Sequence, residues 1–401
     1  CGVVLAAALV SLLISAPALD PGEPAAFSAL LLLASAGMSL LAGARTLPVL
    51  FLGLELLSLA LYVMVAYHRH RPASREAAFK YLLLGSVASG LLLMGIALVF
   101  AATGRLSLDA VAGAAAPGGQ RLLAGGLALV LAGIAFKLAL APLHVWAPDA
   151  YEGAGLGVTA FMSVATKAAA FSALLRVAQA APEAAQRPLW LLAALSMLVG
   201  SLGALRQREL RRLMAYSGIA NAGYLLIALP HLTPSGLEAA LFYLGSYALM
   251  NLGFFAAVAR LQPHPLAGCP VSLLDGAVRR DPLAGWAAVA FLLALVGMPL
   301  TGGFVGKVLL VGAAVREGAQ WLAFFLVAST AILAYPYLKL VERAVRTTAP
   351  EAEPVRPPAV PSARRRLLGA AAVAGALGLV VLGVWPQPLL ALARMAWLMA
   401  G

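Results

Sequence analysis

Apolar runs of about twenty residues recur from one end of this 401-residue chain to the other, separated only by short polar turns. Each run is long enough to cross a hydrocarbon layer of roughly 30 Å as a helix. Lipid admits only helices and closed barrels, because backbone polar groups find no water there. The runs are too long, and alternate too weakly, for barrel strands. With 62% apolar and 11% charged residues and a mean hydropathy of +0.93, the chain lies far outside the soluble range. The expected fold is an all-α polytopic membrane protein of about twelve spans: 1–17, 25–43, 47–67, 78–103, 121–147, 157–181, 188–206, 212–230, 236–260, 283–315, 319–341 and 366–399. The run at 283–315 is long enough for two helices, and 366–399 must tilt, bend or extend beyond the lipid. Cys1 opens directly into an apolar run with no initiator Met, so the chain is read as lacking its true N-terminus.

The net charge of +12 is compatible with nucleic acid, but its distribution is not. Alternate loops carry eighteen basic residues on one face and seven on the other. That is the positive-inside pattern, which makes the first face cytoplasmic and puts both ends of the chain outside. The partner is therefore membrane lipid and not nucleic acid. Cys1 and Cys269 form no CxxC pair with each other or with histidine, so no disulfide framework, metal or iron–sulfur site is indicated. The stretch 342–365 reads as a Pro-rich cytoplasmic loop ending in a basic anchor.

Four ionisable residues remain deep inside spans: Glu55, Lys137, Lys167 and Lys307. Each costs about 2.5–3.5 kcal/mol at the bilayer centre on insertion scales, so each needs a reason. One reason is structural, since buried charges pair and lock helices together. The choice of cation argues for another. The chain has 23 Arg and 5 Lys, yet all three mid-span cations are Lys. Chance alone gives that outcome about three times in a thousand, and only lysine can lose its proton in a protein. Burial disfavours the charged form of a lysine and a nearby carboxylate favours it, so moving one carboxylate switches a buried lysine. Glu55, ringed by leucines with Gly53 and Ser58 close by, supplies such a group.

Pro142 and Pro299 lie well inside spans, where proline removes a helix hydrogen bond and clashes with the preceding turn. Unpaired backbone at membrane depth is tolerated only where protein or water lines it, as in the discontinuous helices of transporters. The interrupted spans are five apart. The chain is thus read as an N-terminal span and loop (1–24) and a first five-helix repeat (25–181) broken within 121–147. A second, inverted repeat (188–341), broken within 283–315, precedes the loop 342–365 and a last span (366–401). "GGFVGKV" (302–308) mimics a phosphate loop but has one residue too few between its glycines and Val308 where Ser or Thr must bind Mg²⁺. His144, beside Pro142, either relays protons or caps broken backbone. Asp149 and Glu152 are either ordinary helix-end charges or a point of proton intake or partner contact.

Five stretches carry a resemblance: "LGLELLSLALYVMVAY" (52–67), "AFKLALAPLHVWAPDAYEGA" (135–154), "VTAFMSVATKAAAF" (158–171), "LRRLMAYSGIANAGYLLIAL" (210–229) and "GMPLTGGFVGK" (297–307). In this order they resemble the antiporter-like subunits of respiratory complex I, over about residues 25–399. A lysine at 307 fits the N and L types better than the M type, and no long lateral helix follows the last span, which favours the N type. The resemblance implies two inverted five-helix repeats with broken helices and a Glu55–Lys137 pair. It also implies that Lys167 links two half-channels and that Lys307 passes protons outward. NADH, FMN, iron–sulfur clusters and quinone belong to other subunits, with none on this chain, and the implied neighbours are the M- and K-type subunits, with the L type more distant. Two departures stand out. Gly155 and Gly157 replace the usual prolines, which leaves that turn looser, and Asn221 replaces a common His, which removes a titrating group.

The rival readings are a subunit of a multisubunit sodium–proton antiporter, the membrane arm of a hydrogenase complex, and a structural scaffold with inert ion pairs. Sodium coordination wants several mid-membrane carboxylates, and only Glu55 qualifies.

Overall fold

The computed structural model describes residues 2–19, 22–111, 119–180, 182–229, 232–264, 266–346 and 362–400. Cys1 and most of the Pro-rich loop (347–361) lie outside the described residues. Among the described residues no strand forms; two isolated bridges are the only extended pairings. The chain runs as α1 Gly2–Ser15, α2 Glu23–Ala42, α3 Leu47–Val65, α4 Pro72–Thr103, α5 Leu108–Val111 and α6 Gln120–Leu138. It continues as α7 Trp146–Gly153, α8 Leu156–Phe161, α9 Lys167–Ala180, α10 Pro182–Ala204, α11 Leu210–Leu226 and α12 Pro234–Leu261. The remainder is α13 Ala277–Arg280, α14 Pro282–Val296, α15 Gly302–Arg316, α16 Gln320–Val345, α17 Ser362–Val384 and α18 Gln387–Ala400.

Nine helical stretches among the described residues are long and apolar enough to cross a membrane, and the shorter apolar segments Gly2–Ala18 and Pro282–Val296 add to them. This is a multi-pass membrane protein. Large apolar side chains such as Leu9, Phe79, Phe324 and Val384 face outward, as suits a chain whose solvent is lipid.

The sequence starts its helices by side-chain caps. Thr46, Thr233, Asp281 and Thr301 each accept from the amide three residues on, and proline follows within the first two positions of α3, α12 and α14. Lipid gives helices no hydrophobic reason to associate, so close packing must do it, and small residues permit close packing. Gly53 does so as expected. A Cβ there would lie 2.6 Å from Leu41 N, and one at Gly37 would lie 2.5 Å from Leu57 N, so α2 and α3 touch backbone to backbone. The caps of α3 and α11 sit in matching devices: Thr46 bridges to Ser107 and Glu209 to Pro270, each partner displaced by the same 163 positions.

Four stretches take a definite form. The fifth span is already broken before Pro142. α6 stops at Leu138 because Ala139 turns into the left-handed region (φ +57°), and α7 starts only at Trp146. The stretch 283–315 is two half-helices, α14 and α15, parted where Gly297 (φ +95°) and Leu300 (φ +69°) leave the helical region. The last run is not one long span, since α17 ends at Val384 and α18 begins beyond Pro386. The turn at Gly155–Gly157 is not loose either. α8 begins at Leu156, and a Cβ on Gly157 would come within 2.2 Å of Ser15 Oγ, because α1 packs directly on it.

Candidate functional site

All three mid-span lysines are buried, with 1%, 2% and 7% exposure at Lys137, Lys167 and Lys307. Among the described residues none of them has a carboxylate within ion-pair distance of 4.0 Å. Their partners are neutral hydroxyls and backbone carbonyls.

Lys137 donates to Ser58 Oγ (2.8 Å) and Tyr81 Oη (2.7 Å), and its amine stands over the Tyr81 and Tyr62 rings at 5.0 and 5.7 Å. Tyr81 is held by stacking on Trp146 (4.3 Å between ring centres), and the Trp146 indole N–H caps Phe136 O at the end of α6 (2.8 Å). The helix that follows the break thus positions the acceptor for the lysine that precedes it. Glu55, half-buried, does not contact Lys137. Its carboxylate accepts from Ser89 Oγ on α4, one turn along α3 from Ser58 and within electrostatic reach of the lysine. The expected direct pair is absent because a serine from each side has taken one member.

Lys167 and Lys307 share a different setting: each sits at the carboxyl end of a broken half-helix. Four carbonyls lose their partners where a helix ends, and that end carries partial negative charge. Lys167 donates to Leu138 O of α6 (3.3 Å), reached from a π-helical turn at Met162–Thr166. Lys307 donates to Leu295 O (2.7 Å) and Val296 O (3.2 Å) of α14. The other two final carbonyls of α14, Leu293 and Ala294, take the amides of Gly297 and Met298. At the first break the Ala141 amide finds Ser196 Oγ (2.9 Å), so the exposed backbone is paired by protein there too.

Between Lys167 and Lys307 the structure holds a run of buried polar groups that sequence reasoning missed. Gly218 packs tightly against the Lys167 side chain and Tyr247 Oη, since a Cβ there would lie only 3.1 Å from each. Beside it Tyr337 donates to Ser217 Oγ, Asn221 Nδ2 donates to Ser217 O (2.8 Å), and Tyr243 donates to Asn221 Oδ1. The Tyr243 ring abuts Gly306, and the Lys307 amine stands 5.7 Å from the centre of the Tyr224 ring. Ser217, Asn221 and Tyr224 recur at i, i+4 and i+7 on α11, and Tyr243, Tyr247 and Asn251 at i, i+4 and i+8 on α12. That helical spacing of polar residues inside apolar runs was the signal available to find them.

His144 is half-buried in the first break, with Nδ1 buried against the Pro142 backbone and no well-aligned hydrogen bond. Asp149 and Glu152 stand apart from the lysines. Arg212 Nη1 binds both (2.5 and 3.0 Å), and Lys80 joins Asp149 (3.1 Å) to Glu76. Burial raises the Asp149 carboxyl, but the bonds from Arg212 and Lys80 outweigh it and hold it below the ordinary carboxylate value. Pro142 and Pro299 are exposed on the surface of the two breaks and touch none of the lysine amines by hydrogen bond. Among the described residues no group of three or more His, Cys, Asp or Glu is arranged to hold a metal ion.

The sequence and the fold are shared with known proteins. The sequence signature described as "NADH:quinone oxidoreductase/Mrp antiporter, TM" matches residues 44–333. NADH-quinone oxidoreductase subunit N 1 of Symbiobacterium thermophilum is 46% identical, over 98% of this chain and 82% of its own length. A chain of respiratory complex I from Thermus thermophilus, solved with bound aureothin, superposes with a TM-score of 0.83 at 40% identity, covering 97% of this chain and 84% of that one. A chain of an archaeal membrane-bound sulfane sulfur reductase superposes with a TM-score of 0.87 at 26% identity, over 98% of this chain and 80% of that one. The chain therefore belongs to the NADH:quinone oxidoreductase/Mrp antiporter family of transmembrane proteins and, within it, to the subunit N type.

Proposed function

We infer that the chain is the proton-translocating membrane subunit N of an NADH–quinone oxidoreductase, moving protons through Lys137, Lys167 and Lys307 under control of Glu55. One observation carries the mechanism: three buried lysines held by neutral acceptors, with polar groups set between the last two. A carboxylate in contact would fix each lysine in its charged form, whereas hydroxyls and carbonyls fix its position and leave the proton exchangeable. Energy reaches the chain from quinone reduction on other subunits, where NADH, FMN, iron–sulfur clusters and quinone bind. Its membrane neighbours are the M- and K-type subunits, with the L type more distant. The loops rich in arginine face the cytoplasm across a bacterial inner membrane, and both ends of the chain lie outside.

The matching bridges at Thr46–Ser107 and Glu209–Pro270 support two five-helix repeats. Five crossings separate Thr46 from Glu209, so the second unit is inverted relative to the first, as in ion-coupled carriers. In this reading His144 pairs broken backbone or holds a water at the first break, and the Asp149–Glu152–Arg212 cluster binds α7 to α11 at the cytoplasmic end.

The test is to purify the complex through a tag on this chain and reconstitute it in vesicles. Acidification driven by NADH oxidation, unchanged when sodium is replaced by choline, is the expected result. Sodium-dependent exchange in a preparation without NADH-oxidising subunits, or co-purification with a nickel-containing subunit instead, overturns the reading.

A further inference from the structure

Where α12 ends and α14 and α17 begin, a cleft of about 500 Å³ is lined by Arg260, Arg280, Asp281, Pro282, Arg365 and Arg366. Four guanidiniums there face one carboxylate. Asp281, 6% exposed, accepts at a single oxygen from Arg260 (2.8 Å) and Arg365 (2.9 Å) while capping α14 through the Ala284 amide. Arg280 reaches only the carbonyls of Leu273 and Asp275, and Arg366 is exposed and has no hydrogen-bond or ion-pair partner among the described residues.

The placement of these charges is unfavourable unless something negative joins them. Arg364, Arg365 and Arg366 occupy the first turn or so of α17, where the positive end of the helix dipole disfavours cations. Arg364 is relieved by capping Leu13 O and Ile14 O of α1 (2.9 and 2.7 Å), and Arg365 by Asp281. Among the described residues Arg366 has no such relief. The positive-inside tendency explains arginines in this loop, but not their convergence on one cleft with a surplus of three positive charges. In the first turns of the same helices, close in sequence to Asp281 and Arg366, Leu283 and Trp286 on α14 and Leu367 on α17 are exposed.

We propose that this cleft binds the phosphate of an anionic phospholipid, with Arg280 and Arg366 as the principal ligands, Arg365 beside them, and the acyl chains lying along α14 and α17 over Leu283, Trp286 and Leu367. Arginine forks match phosphate oxygens two at a time, and basic pockets at the ends of membrane helices take anionic headgroups. The site is independent of the lysine route, and its test does not use proton pumping.

The experiment places the purified membrane complex in vesicles of phosphatidylethanolamine doped with photoreactive phosphatidylglycerol, and maps labelled peptides by mass spectrometry. Labelling within 280–286 and 362–369 is expected. It should fall at least tenfold in Arg280→Gln/Arg366→Gln, survive in Arg366→Lys, and be unaffected by Arg206→Gln in a separate basic cleft lined also by Arg208, Lys339 and Arg343. The double variant leaves the Arg260–Asp281–Arg365 contacts in place, so an unchanged melting temperature excludes misfolding as the cause. Equal labelling by a photoreactive phosphatidylethanolamine, or labelling unchanged in the double variant, overturns the proposal. Displacement of the lipid by inorganic phosphate makes the cleft a site for soluble phosphate, and label absent here because an acidic protein segment fills the cleft makes it a protein contact; either result also overturns it.

Discussion

Lysine at position 307 caps the end of α14 and, in the proposed function, also releases a proton; two substitutions separate these roles. Its amine satisfies Leu295 O and Val296 O at the negative end of α14. Lys307→Met keeps much of the packing but leaves both carbonyls unpaired. Each buried acceptor left without a partner costs about 1–3 kcal/mol, so this variant should lose about 2–6 kcal/mol. Set against a total stability of roughly 5–15 kcal/mol, that loss is large enough to lower the melting temperature or the yield of assembled complex. Lys307→Arg retains the positive charge and offers N–H donors to the same two carbonyls. Its bulkier head beside Tyr224 and Gly297 costs about 1–3 kcal/mol through overpacking. Guanidinium does not release a proton at any working pH. The arginine variant should therefore assemble, checked by native gel and melting temperature, yet fail to pass protons at this step. The assay is protons pumped per NADH oxidised in reconstituted vesicles, with quinone reduction followed in parallel. A fall in the ratio, or a fall in turnover if the steps are tightly coupled, is expected. An assembled Lys307→Arg complex with wild-type pumping and turnover would refute the proton-release role and leave Lys307 as a helix cap.

Three further outcomes follow from the same contacts. Ser89→Ala removes the hydrogen bond that holds the Glu55 carboxylate away from Lys137; the variant structure should show the two within 4 Å and pumping should slow, and an unmoved Glu55 sinks the switch. Asn221→Leu interrupts the chain from Tyr337 through Ser217 to Tyr243 without adding charge, so pumping through this subunit should fall in a complex that still assembles, and a normal proton-to-NADH ratio counts against the route. Asp281→Asn weakens two charge-assisted bonds and should cost about 1.5–3 kcal/mol at neutral pH; burial raises this carboxyl, but Arg260, Arg365 and the Ala284 amide bring it below 3.8, so its contribution is full above that pH and is lost as pH falls through the lower folded value, where the melting temperatures of parent and variant should converge.

The spans, the two breaks and the four mid-span charges were legible because lipid makes each of them expensive, and an expensive residue in an apolar run is conspicuous in sequence alone. What was not legible is which partner each charge takes. Glu55 and Lys137 are opposite charges on the third and fifth spans, and sequence favours pairing them; Ser58, Ser89 and Tyr81 intercept the pair, and serine in an apolar helix looks like a packing residue. Proline marked the first break but misplaced it. Ala139 turns out of the helix three residues earlier, where Leu140 N and the Trp146 indole can still reach the carbonyls of the last turn. Asn221 looked like the loss of a titrating group, yet its amide supplies both a donor and an acceptor and so sits in mid-chain between two hydroxyl systems.

The breaks and the lysines are one device. An unbroken helix offers no free carbonyl at membrane depth, so a lysine buried beside it needs side-chain acceptors, and a carboxylate among them would hold it charged. Ending α6 and α14 inside the membrane exposes carbonyls that attract a cation by partial charge alone. Lys167 and Lys307 use those acceptors, and the same acceptors bind a neutral amine by accepting its N–H, with a smaller free-energy difference between the two forms than a carboxylate imposes. Lys137, in the last turn of α6 itself, takes hydroxyls from other helices instead, with Glu55 one turn along α3 from Ser58. A chain that moves protons through lysines thus has a physical reason to break helices at mid-membrane, and to place the breaks within a side chain's reach of the charges they hold.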